Sequence, residues 1–152
     1  MNRHLGKTAG NIRAGLSNNL AVWSYLRDSD QRFSITEFVR SPGGRFVFLQ
    51  SRSDMHAMMR PLISLWLELA GTAQLALSTQ RPGHRMFFVI DELPGLQKLE
   101  VISKLMAEGR KYDAAIVTGI QLVSQLYRTY GKEAGETMLG LHYTLEIGRA
   151  HV

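Results

Sequence analysis

Two short apolar runs, each followed by polar residues, constrain the fold of this chain more than any other feature. Residues 86–90 are apolar throughout and precede Asp91 and Glu92, and the largely apolar run 114–120 precedes Gln121. A continuous apolar run of this length is typical of a strand that is buried on both faces in a parallel sheet. Ligands bind at the carboxyl ends of such strands, so the polar residues mark the sheet edge where a site is expected.

Helical patterns and a third apolar run surround these strands. Apolar residues recur at helical spacing over residues 8–27 and predict an amphipathic helix. Its apolar stripe consists of Ile12, Leu16, Leu20, Trp23 and Leu26. A short second element is predicted at 33–39, followed by a turn at 41–44 and a buried strand at 45–50.

Longer helices are predicted between and after the strands. One runs from about residue 53 to 77, with Ser53 or Asp54 as its N-cap and Pro61 in its interior. Two more are predicted at about residues 96–111 and 122–130. The stretch 62–77 contains Glu68 and is shorter than the roughly 20 residues that span a bilayer, so it is interpreted as a buried helix.

The alternation of helices and strands predicts an α/β layered fold with right-handed crossovers between parallel strands. The 152 residues suffice for one domain or part of one. The sequence lacks cysteine, which excludes a disulfide scaffold, thiolate zinc ligation and a cysteine nucleophile. Lys and Arg number 18 against 13 Asp and Glu, but the basic residues are dispersed. Charge alone therefore fits either an anionic partner or a solvated basic surface.

The first run and its acids match the Walker B pattern of nucleotide hydrolases. A buried strand would hold Asp91 at the sheet edge, where its carboxylate can hold Mg²⁺, often through water. Glu92 could orient or deprotonate the attacking water, and Gln121 could sense the γ-phosphate from the next strand. The alternatives are solvated carboxylates at an ordinary strand end and a polar cap at the turn after residue 120.

The other candidate motifs in the sequence give weaker evidence of a functional site. Residues 6–8, Gly-Lys-Thr, match the end of the phosphate-loop pattern, but its first glycine would fall at Met1 and no apolar strand precedes it. No metal-binding spacing relates the histidines His4, His56, His84 and His142. No serine has a nucleophile-elbow context. The methionines at 55, 58 and 59 are interpreted as helix packing.

Six blocks of sequence occur in an informative order. They are Ile12-Arg13-Ala14 with Leu16-Ser17, Phe33-Ser34-Ile35, His56-Ala57 with Arg60-Pro61-Leu62-Ile63-Ser64, Phe88-Val89-Ile90-Asp91-Glu92-Leu93-Pro94, Leu105 with Ala107-Glu108-Gly109-Arg110-Lys111, and Gly119-Ile120-Gln121. In that order they resemble the TraD-type coupling proteins of conjugation and type IV secretion. The resemblance extends over about residues 8–140.

The resemblance implies a RecA-like P-loop ATPase domain that is interrupted by an all-α domain. Residues 1–32 would end the α domain, and residues 33–145 would form the C-terminal half of the motor domain, a parallel sheet flanked by helices. The Walker A phosphate loop and the membrane anchor would lie upstream, so this segment alone is expected to be inactive. The whole protein would be a homohexamer on the cytoplasmic face of the bacterial inner membrane. It would use ATP and Mg²⁺ to pump relaxase-bound single-stranded DNA to a type IV secretion channel.

The resemblance also implies a role for four residues. Asp91 would bind Mg²⁺ through water, Glu92 would be the catalytic carboxylate, and Gln121 would sense the γ-phosphate. Arg110 would reach the nucleotide of the neighbouring subunit. The alternative for Arg110 is a surface salt bridge with an acid at position 108 or 113.

The C-terminal residues differ from the rest of the chain. Residues 146–152 depart from the family pattern and read like a translated sequencing adapter, so they are taken as a non-native tail. The functional alternatives are another hexameric DNA translocase, of the FtsK or HerA kind, and an α/β interaction module without nucleotide chemistry.

Overall fold

The computed structural model describes residues 8, 10, 12–17, 20–25, 30, 32–77 and 84–146. The helices are α1 (Ile35–Arg40), α2 (His56–Leu75), α3 (Glu100–Glu108), α4 (Val123–Tyr130) and α5 (Lys132–Gly140), and the strands are β1 (Met86–Ile90) and β2 (Ala114–Thr118). Short 3₁₀ turns lie at Ala21–Tyr25, Leu93–Gly95 and Gly109–Tyr112. This order confirms the predicted alternation of helices and strands.

β1 and β2 form a parallel pair in the described part of the chain, with register from Met86 opposite Ala114 to Ile90 opposite Thr118. α3 lies in the connection between them, as the crossover between parallel strands requires. The two strands predicted from the apolar runs are therefore confirmed as neighbours, and their carboxyl ends share one edge of the sheet.

The core lies between one face of this sheet and the helices. Phe88 and Ile90 are buried there, together with fully buried side chains from the connections and helices. Those side chains include Leu93, Ile102, Leu105, Leu126 and Met138. α2 and α3 pack closely because Gly71 has no side chain: a Cβ at this position would lie 2.6 Å from Val101 Cγ2.

The prediction that β1 is covered on both faces is wrong for the described residues. Burial alternates along the strand, and Phe87 and Val89 are 60% and 71% exposed. Val117 lies opposite Val89 and is also exposed. Partners in a parallel pair point to the same face, so these residues form one exposed apolar face. The core helices cover only the other face. An apolar run does not show which faces of a strand are covered.

The predicted strand at 45–50 is also wrong as a paired strand. No strand is assigned to this segment, and its Phe46 and Phe48 side chains are 84% and 79% exposed. Val47 packs against the core, so the alternation of the segment is retained. Apolar alternation favours an extended backbone, but a strand forms only where a neighbour provides hydrogen-bond partners.

Helix starts differ from the predictions in two places. α2 has Met55 as its N-cap, without a side-chain capping bond, whereas Ser53 and Asp54 were expected there. Asp54 instead forms an ion pair with Arg52 at 2.7 Å. α3 begins at Glu100 and not near residue 96, because the 3₁₀ turn and extended backbone precede it.

The short element after residue 32 and the turn after it are confirmed. Ser34 caps α1 by accepting a hydrogen bond from the backbone N–H of Glu37 at 3.3 Å. Gly43 and Gly44 then adopt φ values of 57° and 71°, a left-handed backbone that favours glycine.

The N-terminal helix is helical where it is described, at residues 8, 10, 12–17 and 20, and ends in the 3₁₀ turn Ala21–Tyr25. Its predicted apolar stripe is not buried, since Ile12, Leu16, Leu20 and Trp23 are all more than half exposed. No described element covers the stripe. Leu26, the last predicted stripe residue, lies outside the described residues.

α4 confirms the predicted helix at 122–130, whereas α5 was not predicted. Gly131, with φ of 89°, separates the two helices. Gly135 lets them pack, because a Cβ there would lie 2.6 Å from Tyr127 Cδ1. The stretch 62–77 is helical up to Leu75, and among the described residues no helix is long and apolar enough to cross a membrane.

Candidate functional site

The carboxyl ends of β1 and β2 remain hydrogen-bonded beyond the strands. The backbone N–H of Gly119 donates to the Ile90 carbonyl at 2.7 Å, and the N–H of Leu93 donates to the Gly119 carbonyl at 3.0 Å. Leu93 is fully buried. These bonds fix the backbone on both sides of Asp91 and Glu92.

Only glycine fits at position 119. A Cβ there would lie 1.9 Å from the Asp91 carbonyl oxygen and 2.8 Å from its carbonyl carbon, well inside van der Waals contact. The loop after β2 therefore touches the backbone of Asp91 directly. Sequence reasoning included Gly119 in a block of resemblance but gave it no role, since a close approach between distant segments leaves no local pattern.

The two acids at this edge differ in their surroundings. Asp91 is exposed, so its carboxylate can bind a ligand from solvent. Glu92 is half-buried, and its Oε1 atom is buried without a hydrogen-bond partner in the protein. A buried carboxylate oxygen without a partner is costly. No hydrogen bond within the described residues holds Glu92 Oε1 in place.

Gln121 lies on the same edge, two residues after Gly119, and its side chain is exposed. The structure thus places three of the four predicted site residues after the carboxyl ends of neighbouring strands. Their side chains offer two carboxylates and one amide, which can hold a cation and its bound oxygens. No cluster of three metal-ligating side chains is found among the described residues. Mg²⁺ needs only one or two carboxylates when phosphates and water complete its shell, so Asp91 fits that ion.

Arg110 lies at the opposite edge. It belongs to the 3₁₀ turn Gly109–Tyr112, directly before β2, and the carbonyl of Asp113 accepts a bond from Met86 N–H at the start of β1. The strands are five residues long, so the two edges are roughly 13 Å apart. The Arg110 side chain is exposed. Ion pairs between described residues join Arg52 to Asp54, Lys98 to Glu100 and Lys132 to Glu136.

A histidine that sequence reasoning left without a role contacts the turn after Glu92. His56, the first residue of α2, has Nε2 at 3.2 Å from the Gly95 carbonyl and Nδ1 at 2.8 Å from Ser51 Oγ. A Cβ on Gly95 would lie 3.2 Å from Glu92 Cγ and 3.6 Å from His56 Nε2. Gly95 therefore lies against both the His56 ring and the aliphatic part of the Glu92 side chain.

A second histidine supports the end of β2. His142 Nδ1 lies 2.8 Å from the Met138 carbonyl, and its Nε2 lies 2.9 Å from Thr118 Oγ1. Since a carbonyl only accepts, Nδ1 donates to it and the threonine hydroxyl can donate to Nε2. This contact ties α5 to the last residue of β2. The 24-residue separation of Thr118 and His142 gives no sequence signal for it.

Two ionisable groups near this edge have shifted pKa values. Burial raises the pKa of Tyr130, whose hydroxyl oxygen accepts a bond from the backbone N–H of Leu99 at 3.4 Å. The hydrogen bond and charge of Lys98 lower the pKa of Glu100 at the start of α3. Neither group is one of the predicted site residues, and Tyr130 contacts the connection that leads from Glu92 to α3.

Comparisons with known proteins identify the family of this chain. The family model of the type IV secretion-system coupling protein DNA-binding domain matches residues 1–149. The coupling protein TraD of Escherichia coli (strain K12) is 34% identical over 151 residues, which cover 95% of this chain and 21% of TraD. The chain therefore spans about a fifth of the length of that relative.

Solved structures of the bacterial conjugative coupling protein TrwB match the fold. TrwBΔN70 in complex with sulphate has a TM-score of 0.77 at 33% identity, over 93% of this chain and 33% of that one. TrwB in complex with ADP and Mg²⁺ has the same TM-score, identity and coverage. So does TrwB with the non-hydrolysable ATP analogue ADPNP. The chain carries part of the RecA-like α/β fold of these structures.

Proposed function

Because the chain belongs to the type IV secretion-system coupling proteins, we propose that it forms part of the ATP-hydrolysing motor of a conjugative coupling protein. The observation that carries the proposal is the edge formed by Asp91, Glu92 and Gly119. It presents an open carboxylate beside a glutamate oxygen that has no protein partner. TrwB, which shares this fold, has been solved with ADP and Mg²⁺.

Asp91 is the residue that would hold Mg²⁺, and ATP supplies the phosphate whose transfer to water drives the motor. The exposed carboxylate of Asp91 can bind the ion through water while its backbone stays fixed by the contact with Gly119. Fixing the backbone matters because a displaced carboxylate would no longer hold the cation that would compensate the negative charge of the phosphates.

Glu92 is proposed to orient the attacking water and accept its proton. Its Oε1 atom is buried and has no protein partner, so turning the side chain toward solvent would break no hydrogen bond of that oxygen. A general base must come within hydrogen-bond reach of the water that it deprotonates. Gln121, exposed on the same edge, would sense the γ-phosphate through its side-chain amide.

Arg110 is proposed to act on the nucleotide of a neighbouring subunit in a homohexamer. It lies at the opposite sheet edge from the acids of its own chain, so it is poorly placed for its own site. An exposed guanidinium can contact an adjacent subunit and stabilise negative charge that develops during phosphoryl transfer.

The work of the motor is proposed to be DNA transfer. The matching family model is described as a DNA-binding domain, and the net charge of +5 is compatible with an anionic partner. The whole protein would pump relaxase-bound single-stranded DNA to a type IV secretion channel from the cytoplasmic face of the inner membrane.

The proposed domain limits follow the sequence interpretation. Residues 1–32 end the all-α domain, 33–145 form the motor half, and 146–152 are a non-native tail. Within the described residues, no glycine-rich loop with a lysine lies at the acidic edge. We therefore expect the isolated chain to be inactive. Of the candidate phosphate loop, Gly6 and Lys7 lie outside the described residues.

The proposal is tested in a chimaera in which residues 33–145 replace the matching segment of TrwB. Glu92→Gln keeps the size of the side chain but loses its charge, so kcat for ATP should fall about 10²- to 10⁴-fold while nucleotide binding persists. Glu100→Gln, on an exposed glutamate of α3, is the matched control and should leave turnover unchanged. Undiminished turnover in Glu92→Gln would assign the catalytic role elsewhere and favour the non-catalytic interaction module.

A further inference from the structure

We propose that His56, together with Ser51, is a positioning residue that holds the turn after Glu92 and so aligns the glutamate for catalysis. The proposal rests on the function inferred above for Glu92. It concerns a contact between α2 and the carboxyl edge of the sheet, formed by residues 39 positions apart.

The hydrogen bonds of His56 hold its ring at both nitrogens. The Gly95 carbonyl can only accept, so Nε2 carries a proton and donates to it over 3.2 Å. Nδ1 lies 2.8 Å from the Ser51 hydroxyl, which can donate or accept. The ring is therefore held at two points.

The turn held by His56 includes the backbone of Glu92. The Gly95 N–H donates to the Glu92 carbonyl at 3.2 Å, and Leu96 N–H donates to the Leu93 carbonyl at 3.2 Å. A shift of Gly95 would therefore move Glu92 through the backbone. The same shift of Gly95 would also displace the Glu92 side chain by direct contact, because the Gly95 Cα faces the Glu92 side-chain stem and the histidine ring.

His56 leaves the catalytic oxygen of Glu92 unpaired. Its Nε2 proton is used by the Gly95 carbonyl, and Glu92 Oε1 remains buried without a protein partner. A histidine that bonded the carboxylate itself would compete with the attacking water. Holding the neighbouring carbonyl instead fixes the position of the glutamate and leaves its carboxylate without a bond to the histidine.

Glutamine and asparagine distinguish the two bonds of the ring. In His56→Gln the side-chain amide nitrogen reaches about as far as Nε2 and can donate to Gly95, whereas in His56→Asn it reaches only as far as Nδ1. If Gly95 is the important partner, glutamine should restore function and asparagine should not. A role that depends only on Ser51 gives the opposite order.

The first measurement is hydrogen exchange on the full 152-residue chain. His56→Ala should accelerate exchange of the Gly95 and Leu96 amides, His56→Gln should restore protection, and amides of α4 and α5 should not change. His84→Gln is the matched control, because His84 lies before β1 at the other edge of the sheet. Unchanged exchange at Gly95 in His56→Ala would overturn the proposal.

The second measurement is steady-state ATP hydrolysis by the chimaera described above. Misplacement of a catalytic group by about 1 Å costs on the order of 10²-fold, so kcat in His56→Ala should fall by up to that factor while KM for ATP stays nearly constant. His56→Gln should recover most of the loss. Normal kcat in His56→Ala, with Glu92→Gln inactive, would overturn this inference alone. Normal kcat in both variants would overturn the proposed function.

Discussion

The two edges of the β1–β2 sheet carry side chains of opposite charge, and different backbone contacts close them. The carboxyl edge presents Asp91 and Glu92, and its backbone is closed by the contact of Gly119 with Asp91. The amino edge presents the exposed Arg110 on a 3₁₀ turn and is closed by the bond from Met86 N–H to the Asp113 carbonyl. The strand length keeps the two edges roughly 13 Å apart.

Under the function proposed above, one chain would offer only part of a phosphate-transfer site at each edge. The acids would bind a cation and activate water, and the positive charge for the transition state would lie on the other side of the sheet. An assembly in which the amino edge of one subunit faces the carboxyl edge of the next would bring both together. The predictions below test this division between the edges.

The largest expected effect is at the amino edge. In the TrwB chimaera, Arg110→Ala should lower ATP turnover by about 10³- to 10⁵-fold, because an arginine that stabilises phosphoryl transfer contributes that much. Arg110→Lys should also be severely impaired, since an ammonium lacks the planar fork of donors. Lys111→Ala, on the next exposed residue of the same turn, is the control and should remain active.

The complementation test decides whether Arg110 acts between subunits. Subunits with Arg110→Ala are mixed with subunits with Glu92→Gln, each inactive alone. An interface between an intact Glu92 and a neighbour's intact Arg110 should restore part of the activity. If subunits exchange and no ratio regains turnover, Arg110 acts in its own subunit or is structural, and the two edges do not cooperate.

A smaller but still substantial effect is expected from the backbone contact at the carboxyl edge. Gly119→Ala should destabilise the fold by about 3 kcal/mol or more, since its methyl group would overlap the Asp91 carbonyl. Gly109→Ala, at the amino edge, should cost less because the nearest atom, Ala114 Cβ, lies 3.1 Å away. Denaturant unfolding of the chain measures both.

Gly140→Ala is the control for this series, because nothing lies within 4 Å of its added methyl group and the residue is helical. It should be neutral or slightly stabilising. Equal destabilisation by Gly119→Ala and Gly109→Ala would remove the structural difference between the edges.

The smallest effect concerns the support behind the carboxyl edge. Because burial raises the pKa of Tyr130 above its ordinary value near 10, the unfolded chain loses this proton first, and stability should fall as pH rises from about 10 through the folded pKa. Tyr130→Phe should remove this part of the pH dependence. It should also cost about 1 kcal/mol at neutral pH through the lost bond to Leu99.

The measurement is the free energy of unfolding of both forms between pH 8 and about 11, the range around the ordinary tyrosine pKa. Tyr143→Phe serves as the control, since Tyr143 is 92% exposed. An unchanged slope above pH 10 in Tyr130→Phe would show that this hydroxyl does not contribute to alkaline unfolding.

Much of the sheet could be predicted because its signals are local. The apolar runs predicted β1 and β2, and the polar residues after them predicted that Asp91, Glu92 and Gln121 share an edge. The structure confirms this arrangement. The roles of these residues and of Arg110 remain predictions, which the experiments above address.

The wrong predictions share a different cause. Residues 45–50 have the composition of a strand, and 86–90 that of a strand covered on both faces, yet Phe46 and Phe87 are exposed. Whether an apolar residue is covered depends on which element packs against it. The likewise exposed stripe at Ile12 and Leu16 shows the same limit.

By itself the sequence determined the two parallel strands, most of the helices around them, and the polar residues that follow each strand, with the acids after β1. Each of these follows from the spacing of neighbouring residues, which sets the backbone period and the face of each side chain. Only the tertiary structure decided that Gly119 must lack a side chain and that His56 holds the turn after Glu92. These contacts join residues 28 and 39 positions apart, and close packing between such segments is determined by the whole fold and not by any local pattern.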